Sequence, residues 1–362
     1  MRKERIGKIG YRICAVLAAA VSLWCMGDNL WPVVKENGAA WALRAAGLQA
    51  ATSQEVPQAE ASPAPQKEAV KETEPEVTSL PTATPVPVQE KTDTELPVLP
   101  APTPDPERET AAVAATFMGG GEEINGFFVK DTSDSGLCIR DSVKRDGSPV
   151  VLFYSTHTSE AYLQYESDWY YRDESFRTEE EEKSVVAVAK RAKDVIEAGG
   201  FGVIHDTTRF DETYSGSYQR SMDAMQENLL KYPTIQITVD VHRDAFGEED
   251  DGTRYKPVAE VNGENAAQIM IMAGCDLSED PLFPDWRENL HLALRLQQKG
   301  DLLYPGLFRP LFFAQRNYNM HATHGSLLVE VGTEVNTQRE ADYAGKLLGE
   351  TILAVLNDIA EE

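Results

Sequence analysis

The chain has 362 residues, with 34 Lys+Arg against 59 Asp+Glu and a formal net charge of −25. A balance that acidic excludes a nucleic-acid-binding protein, because a polyphosphate partner needs a basic patch. Of the four cysteines only Cys138 and Cys275 fall in the region of globular composition, and no C-x-x-C pair exists, so a cysteine zinc site is excluded and two unpaired thiols are favoured over a Cys138–Cys275 disulfide.

Along the chain, Arg2, Lys3, Arg5, Lys8 and Arg12 precede the apolar run Ile13–Gly27. Positive charge ahead of an apolar stretch keeps the N-terminus in the cytoplasm and sends the rest of the chain across the membrane. Residues 1–35 therefore read as a single-pass anchor, with a cleaved signal peptide as the competing reading; both place the remainder outside the cytoplasm. Residues 36–113 read as a tether, and the block 51–110 alone holds 12 of the 20 prolines and no aromatic residue. Such a segment buries too little apolar surface to offset its ordering entropy and is expected to be disordered and extended.

From Ala114 to the end, strands and helices alternate. Pro149–Ser155 reads as a strand, and Ser184–Gly200 as a helix with Val185, Val188, Ala189, Ala192, Val195 and Ile196 on one face and Gly199-Gly200 as its stop. Phe201–His205 is the next strand, succeeded by a helix that ends before Pro233, strands over 234–241 and 266–274, a helix over 286–300, a buried strand over 325–332 and a closing helix from about Gln338. This pattern predicts one α/β domain over 114–362, with a mostly parallel central sheet and helices on both faces.

Three of these strands end in reactive side chains. The first delivers His157 and then Glu160; the third carries Asp240, His242, Arg243 and Asp244; the last carries Glu330 among Leu327, Leu328, Val329 and Val331. Ligands of open α/β sheets bind beyond the carboxyl ends of the strands, so two histidines and a glutamate are expected to converge on one crevice. Those residue types suit a catalytic metal with a carboxylate left over as base. A carboxylate set in an apolar strand is costly unless a metal or an arginine, here Arg243 or Arg309, compensates it. His205 could line the crevice or merely end its strand, while His291 reads as part of a helix, and His321 and His324 as parts of a polar loop. The acidic run Thr178–Glu182 reads as a solvated helix start that could also supply a third metal ligand.

The segments FYSTHTSEAY, VIHDTTRFD, TVDVHRDA, YPGLFRP…NYNMHA and LLVEVGTEVNTQREA resemble, in this order, the stage II sporulation protein P family of endospore-forming bacteria. The resemblance covers roughly 125–358, together with the anchor and tether, and the family is related to zinc-dependent N-acetylmuramoyl-L-alanine amidases. It implies a Zn2+ enzyme that cleaves the amide between N-acetylmuramic acid and L-alanine in peptidoglycan. Endopeptidase action on cross-links, and work beside stage II sporulation proteins D and M at the mother-cell membrane facing the septal wall, are implied with it. Carried across, His157 and His242 are the histidine ligands and Glu330 the catalytic glutamate, and Arg243 could help at the oxyanion. The middle ligand falls on Glu181 by the amidase spacing, with Glu182 and Glu160 as rivals; Asp240 or Asp244 could orient a histidine. One departure is Ser155, where members often have a histidine. A non-catalytic wall-binding module and a carboxypeptidase-type zinc hydrolase are the alternatives.

Overall fold

The apolar run Pro149–Tyr154 (β4) is buried on both faces because it lies inside a seven-stranded sheet. The computed structural model describes residues 99–118, 127–129, 142–278 and 281–361. All of these belong to the second of two units, Pro97–Glu362. The expected anchor, most of the tether and Cys138 lie outside the described residues, and among those described no helix is long and apolar enough to cross a membrane. Cys275 is a buried free thiol, pushed up to about 12 by burial.

The other strands of the large sheet are Phe127–Val129 (β2), Gly202–His205 (β6), Ile237–Asp244 (β7), Ile269–Gly274 (β10), Leu311–Ala314 (β11) and Ser326–Thr333 (β12). Their order is β2-β11-β10-β12-β7-β4-β6. The strands β6, β4, β7 and β12 are parallel neighbours, while β10 and β11 run the opposite way. The fold is thus mixed α/β, with parallel pairing concentrated in the half of the sheet that carries His242 and Glu330.

Among the described residues four helices pack on this sheet: Val185–Ala198 (α1), Ser217–Lys231 (α2), Trp286–Leu303 (α3) and Gln338–Asp358 (α4). Each follows the apolar periodicity of its sequence, and two carry side-chain caps. Ser184 accepts a hydrogen bond from Val186 N at the start of α1, and Thr337 with Glu340 closes a capping box at the start of α4. The helices α1 and α4 approach closely because Gly345 and Gly349 face Val188 and Ala192; a Cβ added at either glycine would meet a carbonyl oxygen at 2.5 or 2.6 Å. The other face of the sheet receives α2, whose Met222 and Met225 pack on Leu152 and Tyr154.

A second, four-stranded sheet is built mostly of strands that periodicity does not predict. It comprises Thr110–Thr116 (β1), Trp169–Tyr171 (β5), Arg254–Val261 (β8) and Glu264–Ala267 (β9), in the order β5-β1-β8-β9. It closes over Ala111, Val113, Leu163, Tyr170 and Val335. Two expectations change here. The domain takes in residues 99–113, assigned to the tether by composition, because β1 pairs with β5 and β8. The apolar run 266–274 is two elements, β9 in the small sheet and β10 in the large one, parted at Gln268, whose backbone N–H donates to Pro257 O instead. A final short pair joins Val143–Lys144 (β3) to Ala360–Glu361 (β13).

Candidate active site

After β4 the chain turns sharply through Ser155–Ser159, and the neighbouring strand holds that turn. Thr156 donates to Asp240 from its backbone N (2.8 Å) and its Oγ1 (2.7 Å). Asp240 is fully buried and is the register partner of Tyr154. Alternation along β7 puts His242 on the same face as Asp240, and parallel pairing sets Glu330 of β12 beside His242. Geometry alone therefore carries His157, Asp240, His242 and Glu330 to the sheet face on which α2 lies. The rings of His157 and His242 meet edge-on with centroids 5.3 Å apart.

Glu160 joins them. It is 7% exposed, and its Oε2 lies 3.5 Å from His242 Nδ1 and 3.2 Å from the backbone N–H of Arg243, which donates to it. Burial works against its charge, but the contacts with His242 and then Arg243 and Arg177 outweigh it and bring Glu160 down to about 2. The other ring nitrogen of His242, Nε2, is 2.9 Å from Asp240 Oδ1 without the alignment of a hydrogen bond. Burial disfavours an imidazolium here, yet the two flanking carboxylates prevail and hold His242 well above its ordinary value. His157 moves the other way, lowered first by burial and then by His242, and its Nδ1 is buried without a hydrogen-bond partner.

The glutamate of β12 is in an unusual setting. Glu330 is half-buried as a residue, but its Oε2 is fully enclosed and has no partner. Burial and then Asp244 push its carboxyl up to about 8, against the pull of His242 and Arg309. Neither candidate arginine neutralises it: Arg309 pairs with Asp244 at 2.9 Å, and Arg243 pairs with Glu334 at 3.5 Å.

Several predicted site residues fall elsewhere. Glu181 and Glu182 are exposed on a short 3-10 turn, whereas Glu160 is enclosed against His242. The guanidinium of Arg243 is a clamp for the wall of the site, donating to Ala161 O (2.8 Å) and Phe176 O (2.9 Å), so it is not directed at an oxyanion; its backbone N–H is what reaches the cluster. His205 pairs in register with Phe153, on the sheet face opposite to Leu152 and Tyr154, and burial and Lys193 lower it to about 4. His291 lies on α3. His321 and His324 line a separate cavity of about 450 Å3 with Asp285 and Asn289, at the N-terminal ends of β7 and β12.

Sequence reasoning missed two groups of residues. Asp211 accepts hydrogen bonds from Thr158 Oγ1 (2.8 Å), Ser159 Oγ and Ser159 N, pinning the turn between His157 and Glu160. Tyr214 and Tyr218 lie against the histidines, and Tyr318 stacks on Tyr218. The only sequence signal for them is spacing: Tyr214 and Tyr218 stand four apart where α2 begins.

The donor types fit zinc. Two imidazoles and one carboxylate are enclosed together, and one nitrogen of each imidazole, His157 Nδ1 and His242 Nε2, is buried without a hydrogen-bond partner. They are not drawn into a closed shell, and no group of three His, Cys, Asp or Glu among the described residues is placed to hold a metal as it stands.

The family model of stage II sporulation protein P matches residues 40–353. The chain belongs to this family. Stage II sporulation protein P of Bacillus subtilis (strain 168) is 24% identical over 217 residues, which is 56% of this chain and 50% of that protein. This member of the family thus spans about half the length of the curated relative it matches. Among solved structures, the apo form of the N-acetylmuramyl-L-alanine amidase Ami1 from Mycobacterium abscessus is similar at 12% identity and a TM-score of 0.33, covering 57% of this chain and 99% of that one. Ami1 from Mycobacterium smegmatis has the same identity and TM-score and covers 59% of this chain and 99% of its own. At that TM-score the likeness supports no conclusion about fold or chemistry.

Proposed function

We propose that the chain is a peptidoglycan hydrolase of sporulation, a zinc-dependent amidase that cleaves the bond between N-acetylmuramic acid and L-alanine. The observation that carries this reading is the enclosure of His157, His242, Glu160 and Glu330 on one sheet face, with His157 Nδ1 and Glu330 Oε2 buried and unpartnered. Membership of the sporulation family supplies the substrate class. His157, His242 and Glu160 would hold the ion. Zinc bound there would polarise the scissile carbonyl and acidify a water to a pKa of roughly 7.

The chain's own residues do the rest. Glu330, beside His242 with one carboxylate oxygen enclosed and unpartnered, takes a proton from the attacking water and returns it to the leaving amine. Asp240 fixes the ring of His242 from one side and the turn bearing His157 from the other. The backbone N–H of Arg243 fixes Glu160. Peptide cross-links present the same carbonyl chemistry, so endopeptidase action at the same site belongs to this proposal. Held outside the cytoplasm by its expected anchor, the hydrolase would meet the septal wall beside stage II sporulation proteins D and M.

The test incubates the purified full chain with isolated peptidoglycan and weighs the products. Release of peptides beginning at L-alanine is expected, together with about one zinc per chain and loss of release on chelation. Full activity in the presence of chelator, or a zinc-loaded chain that releases nothing, would sink the proposal. Cleavage confined to peptide bonds would point to the carboxypeptidase-type or endopeptidase reading instead.

A further inference from the structure

Two aromatic rings at the site do more than packing requires. Tyr214 is 68% exposed, yet it lies flat on buried His157 with centroids 4.8 Å apart and planes 13° apart. A side chain so exposed gains little from burial. Its outer face is turned to water one ring-thickness from the cluster. Tyr318 stacks on Tyr218 at 5.2 Å, and Tyr218 in turn lies parallel to His242 at 6.4 Å. The backbone that delivers Tyr318 is left-handed at two consecutive non-glycine residues, with φ of 40° at Tyr318 and 62° at Asn319. Such a backbone is disfavoured for residues other than glycine and persists only where its surroundings enforce it. Here Asn319 enforces it, donating from Nδ2 to Tyr218 O (2.9 Å) and Ser221 Oγ (3.0 Å). The product of the kink is the ring of Tyr318 set against Tyr218.

We propose that Tyr214 and Tyr318 are stacking platforms for the pyranose rings of the glycan strand, flanking the amide to be cut. This inference rests on the reading of the site as a peptidoglycan hydrolase and adds which half of the substrate is held and by what. A pyranose offers a flat face of C–H bonds that suits the electron-rich face of tyrosine, and its hydroxyls stay in water, as the exposure of Tyr214 demands. An exposed tyrosine could instead serve only as a cover for His157, and the test separates the two roles.

The full chain is titrated with soluble glycan strands stripped of peptide, which lack the scissile amide and so report binding alone, and in parallel with free stem peptides. Tyr214→Leu keeps an apolar cover on His157 but removes the flat ring; it is expected to weaken glycan binding about tenfold, while Tyr214→Trp stays within about threefold of the wild type. Tyr318→Ala is expected to weaken it about fivefold, with the melting temperatures of all variants compared to confirm the fold. Unchanged glycan binding by Tyr214→Leu overturns the proposal, as does a wild-type chain that binds stem peptide but not glycan. Hydrolysis is read separately: glycan binding that depends on Tyr214, without release of peptides from intact peptidoglycan, removes the hydrolase reading and leaves the sugar platforms in place.

Discussion

Glu330 sits in an apolar strand with one carboxylate oxygen sealed from water, and that placement has consequences at the scale of a single residue. As the proton carrier of the proposed reaction, its replacement by glutamine should lower the hydrolysis rate by roughly 10²–10⁴-fold, measured as peptide release at saturating peptidoglycan. The same replacement reports on stability. The carboxyl is raised from 4.5 in the unfolded chain to about 8 in the folded one, so the folded state binds the extra proton between those values. The stability it contributes is full below pH 4.5 and lost as pH rises through 8. In chelator, Glu330→Gln should therefore gain melting temperature relative to the wild type at pH 9 compared with pH 5; equal shifts at both would contradict the buried acid. That His157, His242 and Glu330 would meet in one crevice was legible in the sequence, because each ends or interrupts an apolar strand. Which glutamate packs beside them was not. Glu160 and Glu181 are both plausible by spacing, and only the packing of the 155–160 turn against β7 encloses one and leaves the other in water.

At the scale of elements, helix starts and stops tracked local chemistry closely. The capping box of Thr337 and Glu340 begins α4, and Gly200, with φ of 89°, comes just after the end of α1 as a glycine stop should. Thr337→Ala should cost about 1 kcal/mol in a denaturation experiment. The contact between α1 and α4 is less forgiving. Any Cβ at Gly349 comes within 2.6 Å of Ala192 O, and a carbonyl in a helix cannot move aside. Gly349→Val should destabilise by about 2 kcal/mol or more, and a neutral result would mean that the helices do not meet there. Neither Gly345 nor Gly349 announced itself in the sequence, because the helix each one faces lies about 150 residues away in the chain. The small sheet escaped for a related reason: Thr110–Thr116 is short, built of alanine, valine and threonine, and becomes a strand only through its partners β5 and β8.

At the scale of the molecule, residues that composition assigned to a tether enter the domain as a strand. Arg108 forms a bidentate pair with Asp173 and lies over the ring of Tyr171, while Ala111 and Val113 contribute to the cluster around Tyr170. Immediately after β5, Phe176 O receives Arg243, and Arg177 reaches Asp211 at 3.3 Å and Glu160 at 3.7 Å. The packing around β1 and β5 is thus continuous with the wall of the candidate site. A chain starting at Pro97 should match the stability of one with the whole tether. A chain starting at Phe117 should lose about 2 kcal/mol, for the exposed cluster and the open strand edges, and lose hydrolysis with it. Equal denaturation midpoints would show that β1 is dispensable.

What the sequence determined by itself was local or periodic: an apolar run leading into a proline-rich stretch, an α/β alternation, the helix ends, and strands that stop at histidine, aspartate and glutamate. These are short-range properties, because burial patterns and caps are written within a few residues of one another. What only the tertiary structure decided depends on residues far apart in the chain. The enclosure of Glu160 beside His242, the clamp role of Arg243, the tyrosines near the histidines and the strand Thr110–Thr116 all arise from strand order and register. Those bring Glu330 beside His242 and Thr110–Thr116 beside Arg254–Val261, and no window of sequence contains both members of either pair.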